Sequence, residues 1–274
     1  MKISIITPSY NQGKYLEQTI LSILNQDYED LEYIIIDGGS SDNSVEIIKR
    51  YANRLAYWIS EKDSGQTEAI NKGFKKATGK VVGWINSDDI LMPDALKKIR
   101  VAFERRTSPD VIFGWTLRIS EDNKILFNHF LPKPYLWLAK KGVFYFGQQS
   151  WFWKREMFDY LGFLDESCHA CMDIEFIMRQ FIAKAKMEQV PHILAGFRQH
   201  ELTKTSQNGD IWTVDRARLK KKYKILNYRT PRKYAKIVYG IIKLVNGNYF
   251  RQFYFKYKWQ GEQLNAYLTY ITKR

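Results

Sequence analysis

Across its first hundred residues the chain alternates short apolar runs with segments of helical periodicity, and that alternation leaves few folds open. The runs ISIITP (3 to 8), YIIID (33 to 37), AYWIS (56 to 60) and VVGWIN (81 to 86) are rich in β-branched and aromatic residues and of strand length, as strands buried on both faces should be. Between them, KYLEQTILSILNQ, NSVEIIKRYAN and TEAINKGFKKATG space apolar residues three and four apart, and Gly79 closes the third. This order predicts an α/β fold with a mostly parallel sheet and helices on both faces. Ligands of such sheets bind beyond the carboxyl ends of the strands.

Polar residues gather at those ends. The first strand runs into Thr7-Pro8-Ser9-Tyr10-Asn11, the second into Asp37-Gly38-Gly39-Ser40-Ser41-Asp42, the third into Glu61-Lys62-Asp63-Ser64-Gly65 and the fourth into Asn86-Ser87-Asp88-Asp89. Any one of these loops is explained by turn and cap chemistry, which uses the same residues. Four on one edge point instead to a nucleotide pocket.

Asp88 and Asp89 follow a buried strand, where charge is costly unless paired or coordinated. Hard oxygen donors of this kind suit Mg²⁺ or Mn²⁺, with substrate phosphate and water completing the shell. The competing reading is that one of them caps a helix beginning at Pro93. A second acidic pair, Asp173 and Glu175, opens the helical stretch CHACMDIEFIMRQFIAKA. Asp173 fits an N-cap or, at a pocket, a general base; Glu175 faces elsewhere.

The segments TPSYNQGKYLEQTILSILNQ, IIIDGGSSDNSVEIIKRY, SEKDSGQTEAINKGFKKATGKVVGWINSDD and GFLDESCHACMDIEFIMR, in that order over about the first 200 residues, resemble the inverting family 2 glycosyltransferases, which have the glycosyltransferase A-type fold. The resemblance implies a Rossmann-like catalytic body and a nucleotide-sugar donor, with UDP favoured. It places Asp37 against the nucleobase, and Thr7, Pro8, Gly38, Asp63, Asn71, Asn86 and Ser87 around the donor nucleotide. Asn86-Ser87-Asp88 stands for the family's Asp-X-Asp motif, which makes Asp88 the ligand of Mn²⁺ or Mg²⁺, with Asn86 where the family often has its first Asp and Asp89 behind the metal or beside the donor sugar. Asp173 matches the second residue of the family's Glu-Asp base motif, with Met172 in place of the Glu, and His200 resembles a histidine that reaches the metal or diphosphate. Gln148 and Gln149, within an aromatic stretch that would suit either a sugar ring or a packed core, fall beside the acceptor. The implied chemistry is a single displacement with inversion: Asp173 takes the acceptor's proton and the cation absorbs charge on the departing diphosphate. The Gln-X-X-Arg-Trp motif of processive synthases is absent, so one sugar per encounter is expected.

The net charge of +14 is confined to the tail: 211 to 274 holds sixteen Lys and Arg against Asp215 and Glu262, whereas the first 210 residues carry 27 of each sign. The organisation expected is therefore a catalytic domain over 1 to 210 and a basic, aromatic helical extension over 211 to 274, in two or three amphipathic helices, with the boundary near LTKTSQNGD. Basic residues mixed with Trp, Tyr and Phe suit an anionic membrane surface, where a lipid-linked or glycan acceptor would be met; the competing reading packs those aromatics on the body. No nucleic acid is expected, given the acidic pocket edge and no recognition motif. Exposed tail aromatics could also pair copies of the chain, which leaves subunit number open. Cys168 and Cys171 are too few for a disulfide framework, and their CxxC spacing reads as loop packing rather than zinc or redox chemistry. With no signal peptide and no run long enough to span a bilayer, a cytoplasmic setting follows. His129 and His192 read as structural. Two other functions compete: a sugar-1-phosphate nucleotidyltransferase, which would want an Arg-containing Gly-rich loop where TPSYNQGKY stands, and a non-catalytic membrane- or nucleic-acid-binding module.

Overall fold

A computed structural model describes residues 1–128, 130–141, 143, 146–201, 203, 209–225 and 232–273. His129 and most of the 202 to 210 boundary segment lie outside the described residues. The first hundred residues fold as the alternation predicts: β1 (Ile3–Ser9), α1 (Gly13–Leu24), β2 (Leu31–Asp37), α2 (Ser44–Arg50), β3 (Tyr57–Ser60), α3 (Gln66–Lys76) and β4 (Val81–Trp84). These strands pair in parallel in the order β3-β2-β1-β4, with Ile5 opposite Tyr33 on one side and Gly83 on the other.

Successive strand residues face opposite sides, and two cores result. Ile3, Ile5, Tyr33, Ile35 and Val81 pack under α1, α2 and α4 (Ala95–Phe103), while Ile6, Ile34, Ile36, Val82 and Trp84 pack under α3 and helices from the second half. Each such side chain contributes ~1.5–3 kcal/mol on burial.

The second half changes the sheet's character. β5 (Ile90–Leu91), β6 (Val111–Ser120), β7 (Ile125–Asn128), β8 (Trp151–Lys154) and β9 (Met187–Gln199) extend it to nine strands among the described residues, through β4-β8-β6-β9-β5 with β7 on β6. Here only β6 and β9 run parallel; β4–β8, β6–β8, β5–β9 and β6–β7 are antiparallel. The sheet is thus mixed, its parallel half matching the expectation. Pro191, which cannot donate to a ladder, falls where the β6–β9 register slips between Gln189 and Ile193. Short helices α5 (Leu136–Lys140) and α6 (Met157–Leu161) precede α7 (Met172–Ile182).

Among the described residues four helices follow rather than two or three: α8 (Gly209–Lys222), α9 (Arg232–Val245), α10 (Asn248–Trp259) and α11 (Leu264–Thr272). The last two are separated at Gly261, whose φ of +88° is left-handed. This tail is stitched to the body. Phe255, Trp259, Leu264 and Tyr267 join Trp115, Leu117, Ile119, Ile125 and Phe130 in one cluster. Main-chain bonds from Gly261 N–H to Ile125 (2.7 Å) and from Leu264 N–H to Asn123 (2.8 Å) fix it there.

Candidate active site

The polar loops at the carboxyl ends of β1 to β4 interlock. Asn11, in the left-handed region at φ 51°, accepts from Ser41 N–H at 2.8 Å, and Asp42 accepts from Gly13 N–H at 2.9 Å, tying the β1 loop to the β2 loop. Asp37 is fully buried, and its carboxylate accepts from Ser40 N–H (2.9 Å), Ser40 Oγ (2.6 Å) and Ser60 Oγ (2.7 Å). Beside it, Asp63 comes so close to Gly38 that a Cβ there would sit 2.8 Å from Asp63 Oδ2, so any larger residue would push that carboxylate aside. Burial raises the Asp63 carboxyl above its ordinary value, with the Gly65 N–H bond opposing.

These loops frame a cavity of about 750 Å³. Pro8, Gly38, Asp63, Asn86, Ser87, Asp88, Gln148, Gln149 and Asp173 all line it, so residues on four strand ends and on α7 are brought to one space. Ser9 also lines it, and its buried Oγ has no hydrogen-bond partner among the described residues. Thr7 is buried beneath the floor, accepting from Tyr33 OH at 3.0 Å, and does not line the cavity. Asn71 does not line it either: it donates to the Leu164 carbonyl (2.9 Å) and accepts from Leu164 N–H (3.0 Å), holding the loop before α7. Asp37 acts from behind, as a brace for the loop.

The two adjacent carboxylates after β4 diverge. Asp88 turns to the cavity, and its Oδ2 lies 3.0 Å from His200 Nε2 just after β9, with the imidazole tilted against the Tyr15 ring at 4.7 Å between centroids. Asp89 turns inward and is fully buried, accepting from Arg198 N–H (2.9 Å), Gln149 Nε2 (3.0 Å) and Asn86 Nδ2 (3.1 Å). Burial, and then the charge of Asp88, push its carboxyl well above the ordinary range, against those donors. Neither side chain caps α4, which starts at Ala95 without a side-chain cap bond, so the capping reading fails. Gln148 Nε2 likewise donates to the Trp84 carbonyl at 3.0 Å, so both glutamines brace the end of β4 while bordering the cavity.

Sequence reasoning missed Arg198, which lies almost wholly buried beneath this site. Its guanidinium donates to the Asp88 carbonyl (3.0 Å), Asn123 Oδ1 (2.7 Å) and Gln18 Oε1 (2.6 Å) and lies 5.1 Å over the Tyr15 ring. A lone Arg in GFRQHE reads as a surface residue; only the period-2 alternation of β9 hinted that it points inward.

Asp88 and His200 provide one carboxylate and one imidazole. Among the described residues no group of three His, Cys, Asp or Glu is arranged to hold a metal ion. The pair suits a divalent cation that takes its other ligands from a diphosphate and water, as Mn²⁺ or Mg²⁺ does, and not a site closed by protein alone.

The other wall belongs to α7 and the tail. Asp173 sits in the first turn of α7, where unpaired N–H groups favour a carboxylate, and accepts from Ile174 N–H at 2.7 Å. Glu175 is buried on the far side, bound to Arg179 Nε (2.8 Å), Lys222 Nζ (2.7 Å) and Tyr223 OH (2.5 Å), which is a structural station. Trp212 on α8 lines the cavity, so the tail contributes to the site. From the same helix, buried Asp215 accepts from Ala170 N–H (2.6 Å), Cys171 N–H (3.3 Å) and Cys168 Sγ (3.5 Å) and so pins the loop that delivers Asp173. Burial, with Asp215 next to it, pushes the Cys168 thiol up to about 12, and burial likewise raises Cys171, so both remain packed thiols. Replacing Asp215 with Ala strands those donors and is expected to cost about 1–3 kcal/mol in urea unfolding. An unchanged midpoint would show that Asp215 carries no load.

A family model described as glycosyl transferase family 2 matches residues 4–185. An uncharacterized glycosyltransferase of Nostoc is 38% identical over 107 residues, 38% of this chain and 33% of its own length, so the match spans about a third of that relative. Among solved structures, S. aureus TarS 1-349 in complex with UDP-GlcNAc superposes with a TM-score of 0.62 at 17% identity, covering 92% of this chain and 73% of TarS 1-349. The mannosyltransferase PcManGT of Pyrobaculum calidifontis, in complex with GDP-Man and Mn²⁺, gives a TM-score of 0.58 at 19% identity, covering 90% and 70%. At these identities the likeness is one of fold.

Proposed function

The chain belongs to glycosyl transferase family 2 and has the glycosyltransferase A-type fold, and from that premise we propose that it transfers one sugar per encounter, with inversion, from a nucleotide-sugar donor to a hydroxyl of a glycan or lipid-linked glycan. The product in this reading is a unit of a surface polysaccharide such as capsule or lipopolysaccharide, made on the cytoplasmic side. The observation that carries it is that Asp88, paired with His200, and Asp173 border the same cavity although one follows β4 and the other opens α7.

In this reading the nucleoside lies among the β1 to β3 loops, with Asp63 as the carboxylate open to it and Asp37 fixing the loop that holds Gly38 in place. A UDP-sugar is the favoured donor. Asp88 and His200 would hold a divalent cation, which would supply positive charge where the diphosphate departs. Asn86 and Ser87 border the same end of the donor, and Asp89 keeps the turn in shape from below. Asp173 accepts the proton of the acceptor hydroxyl as its oxygen bonds to the anomeric carbon and the bond to the diphosphate breaks. Trp84, Trp212 and Phe197 give that space apolar faces of the kind a sugar ring packs on.

Thermal denaturation against a panel of UDP-, GDP- and dTDP-sugars, with Mn²⁺ or Mg²⁺, tests the reading. One donor with metal should raise Tm by ~5 °C or more at a hundred times its Kd, because only the folded state binds it. Removing the metal with EDTA should abolish most of the shift. No shift with any donor would remove the proposal.

A further inference from the structure

Two helices of the tail keep a full apolar face in water. On α9, Tyr234, Ile237, Val238, Ile241, Leu244 and Val245 recur three and four apart and are 37% to 79% exposed, while Ala235 packs inward on Leu138 and Val143. On α10, Tyr249, Phe250, Phe253, Tyr254 and Tyr257 form a second arc, 46% to 88% exposed, opposite the buried Asn248, Phe255 and Trp259. Single exposed apolar residues need no explanation, but two continuous faces do. Cations flank both: Lys236 beside the first arc, and Arg251 and Lys256 beside the second, all exposed.

We infer that these two faces seat the protein on an anionic lipid bilayer surface. Charge complementarity selects that occupant: 211 to 274 carries sixteen cations against two acids, and one of those, Asp215 of α8, is buried against the loop before α7. A second copy of the chain would bring basic rim against basic rim. Nucleic acid would neutralise the lysines and could stack on the α10 aromatics, yet it would leave the aliphatic face of α9, with Ile237, Val238, Ile241, Leu244 and Val245, in water. A bilayer interface takes both parts at once, acyl chains meeting the apolar arc and anionic headgroups the rim. No helix among the described residues is long and apolar enough to cross a membrane, so the contact is one of lying on the surface. The inference bears on where an acceptor is met and stands apart from the transfer chemistry.

Sedimentation of the full chain with vesicles tests it. Vesicles of equal parts phosphatidylglycerol and phosphatidylcholine should bind the protein at low salt, and phosphatidylcholine alone should bind it far less. The triple variant Phe250→Ser, Phe253→Ser, Tyr257→Ser should weaken binding by ~10-fold or more with its Tm unchanged, these side chains touching little of the fold. The charge variant Lys236→Glu, Lys256→Glu should lose the preference for anionic lipid. The inference is overturned if the wild type ignores both vesicles or the triple variant binds as well. It is equally overturned if light scattering shows a dimer that the triple variant splits, or if duplex oligonucleotides bind tighter than vesicles. No sugar nucleotide enters the assay, so failure here leaves the transfer reading intact.

Discussion

An Asp173→Asn variant is expected to hold its donor as well as the wild type and to transfer sugar ~10²–10⁴-fold more slowly. Asparagine keeps the shape of the side chain and can still accept from Ile174 N–H, so α7 begins as before. What is lost is the capacity to take a proton. Because Asp88 and His200 sit on separate elements, metal-dependent donor binding should survive. Radiolabelled transfer, with donor affinity measured in parallel by calorimetry, separates the two quantities. Wild-type turnover in this variant would strip Asp173 of its role, whereas lost donor binding would mean that it sits against the donor instead.

The second large effect is on stability. Arg198→Ala is expected to lower unfolding free energy by ~3–5 kcal/mol, because it removes a buried cation drawn to the acidic groups of Asp89 and Asp88, although the main-chain N–H of residue 198 still reaches Asp89. The guanidinium also satisfies Gln18, Asn123 and the Asp88 carbonyl from a single rigid fork, so Arg198→Lys should rescue little. Urea unfolding followed by tryptophan fluorescence reads the loss directly. A variant within ~1 kcal/mol of the wild type would show that the carboxylate turn supports itself.

The parallel half of the fold was legible because strands buried on both faces have to be apolar throughout, and helices crossing over them have to show a stripe. The antiparallel half was not. Its longest strand, β9, holds Pro191 at a register slip and Arg198 near its end, both of which argue locally against a strand and are accommodated only by partners on β6 and by Asp89. The site was legible as a set of loops, since short polar residues after buried strands gather at one edge whatever their individual duties. Those duties depend on side-chain direction. Asp37, Asp63, Asp88 and Asp89 all follow a strand, yet two are open to the cavity and two are turned inside. Trp212 was invisible as a site residue because nothing local in a basic helix says which aromatic will reach across to a cavity.

Asp88 and His200 meet across 112 residues of chain, and Asp89 meets Arg198 across 109. Local β-α-β crossovers can close early in folding, whereas a ladder linking positions so far apart must wait for its late partner. During synthesis the loops after β1 to β4 therefore emerge well before β9 and the histidine that follows it. The partners that hold Asp88 and Asp89 in their opposite directions arrive only once the ribosome has passed residue 200, so the wall of the cavity that these carboxylates build is among the last parts of the body to set.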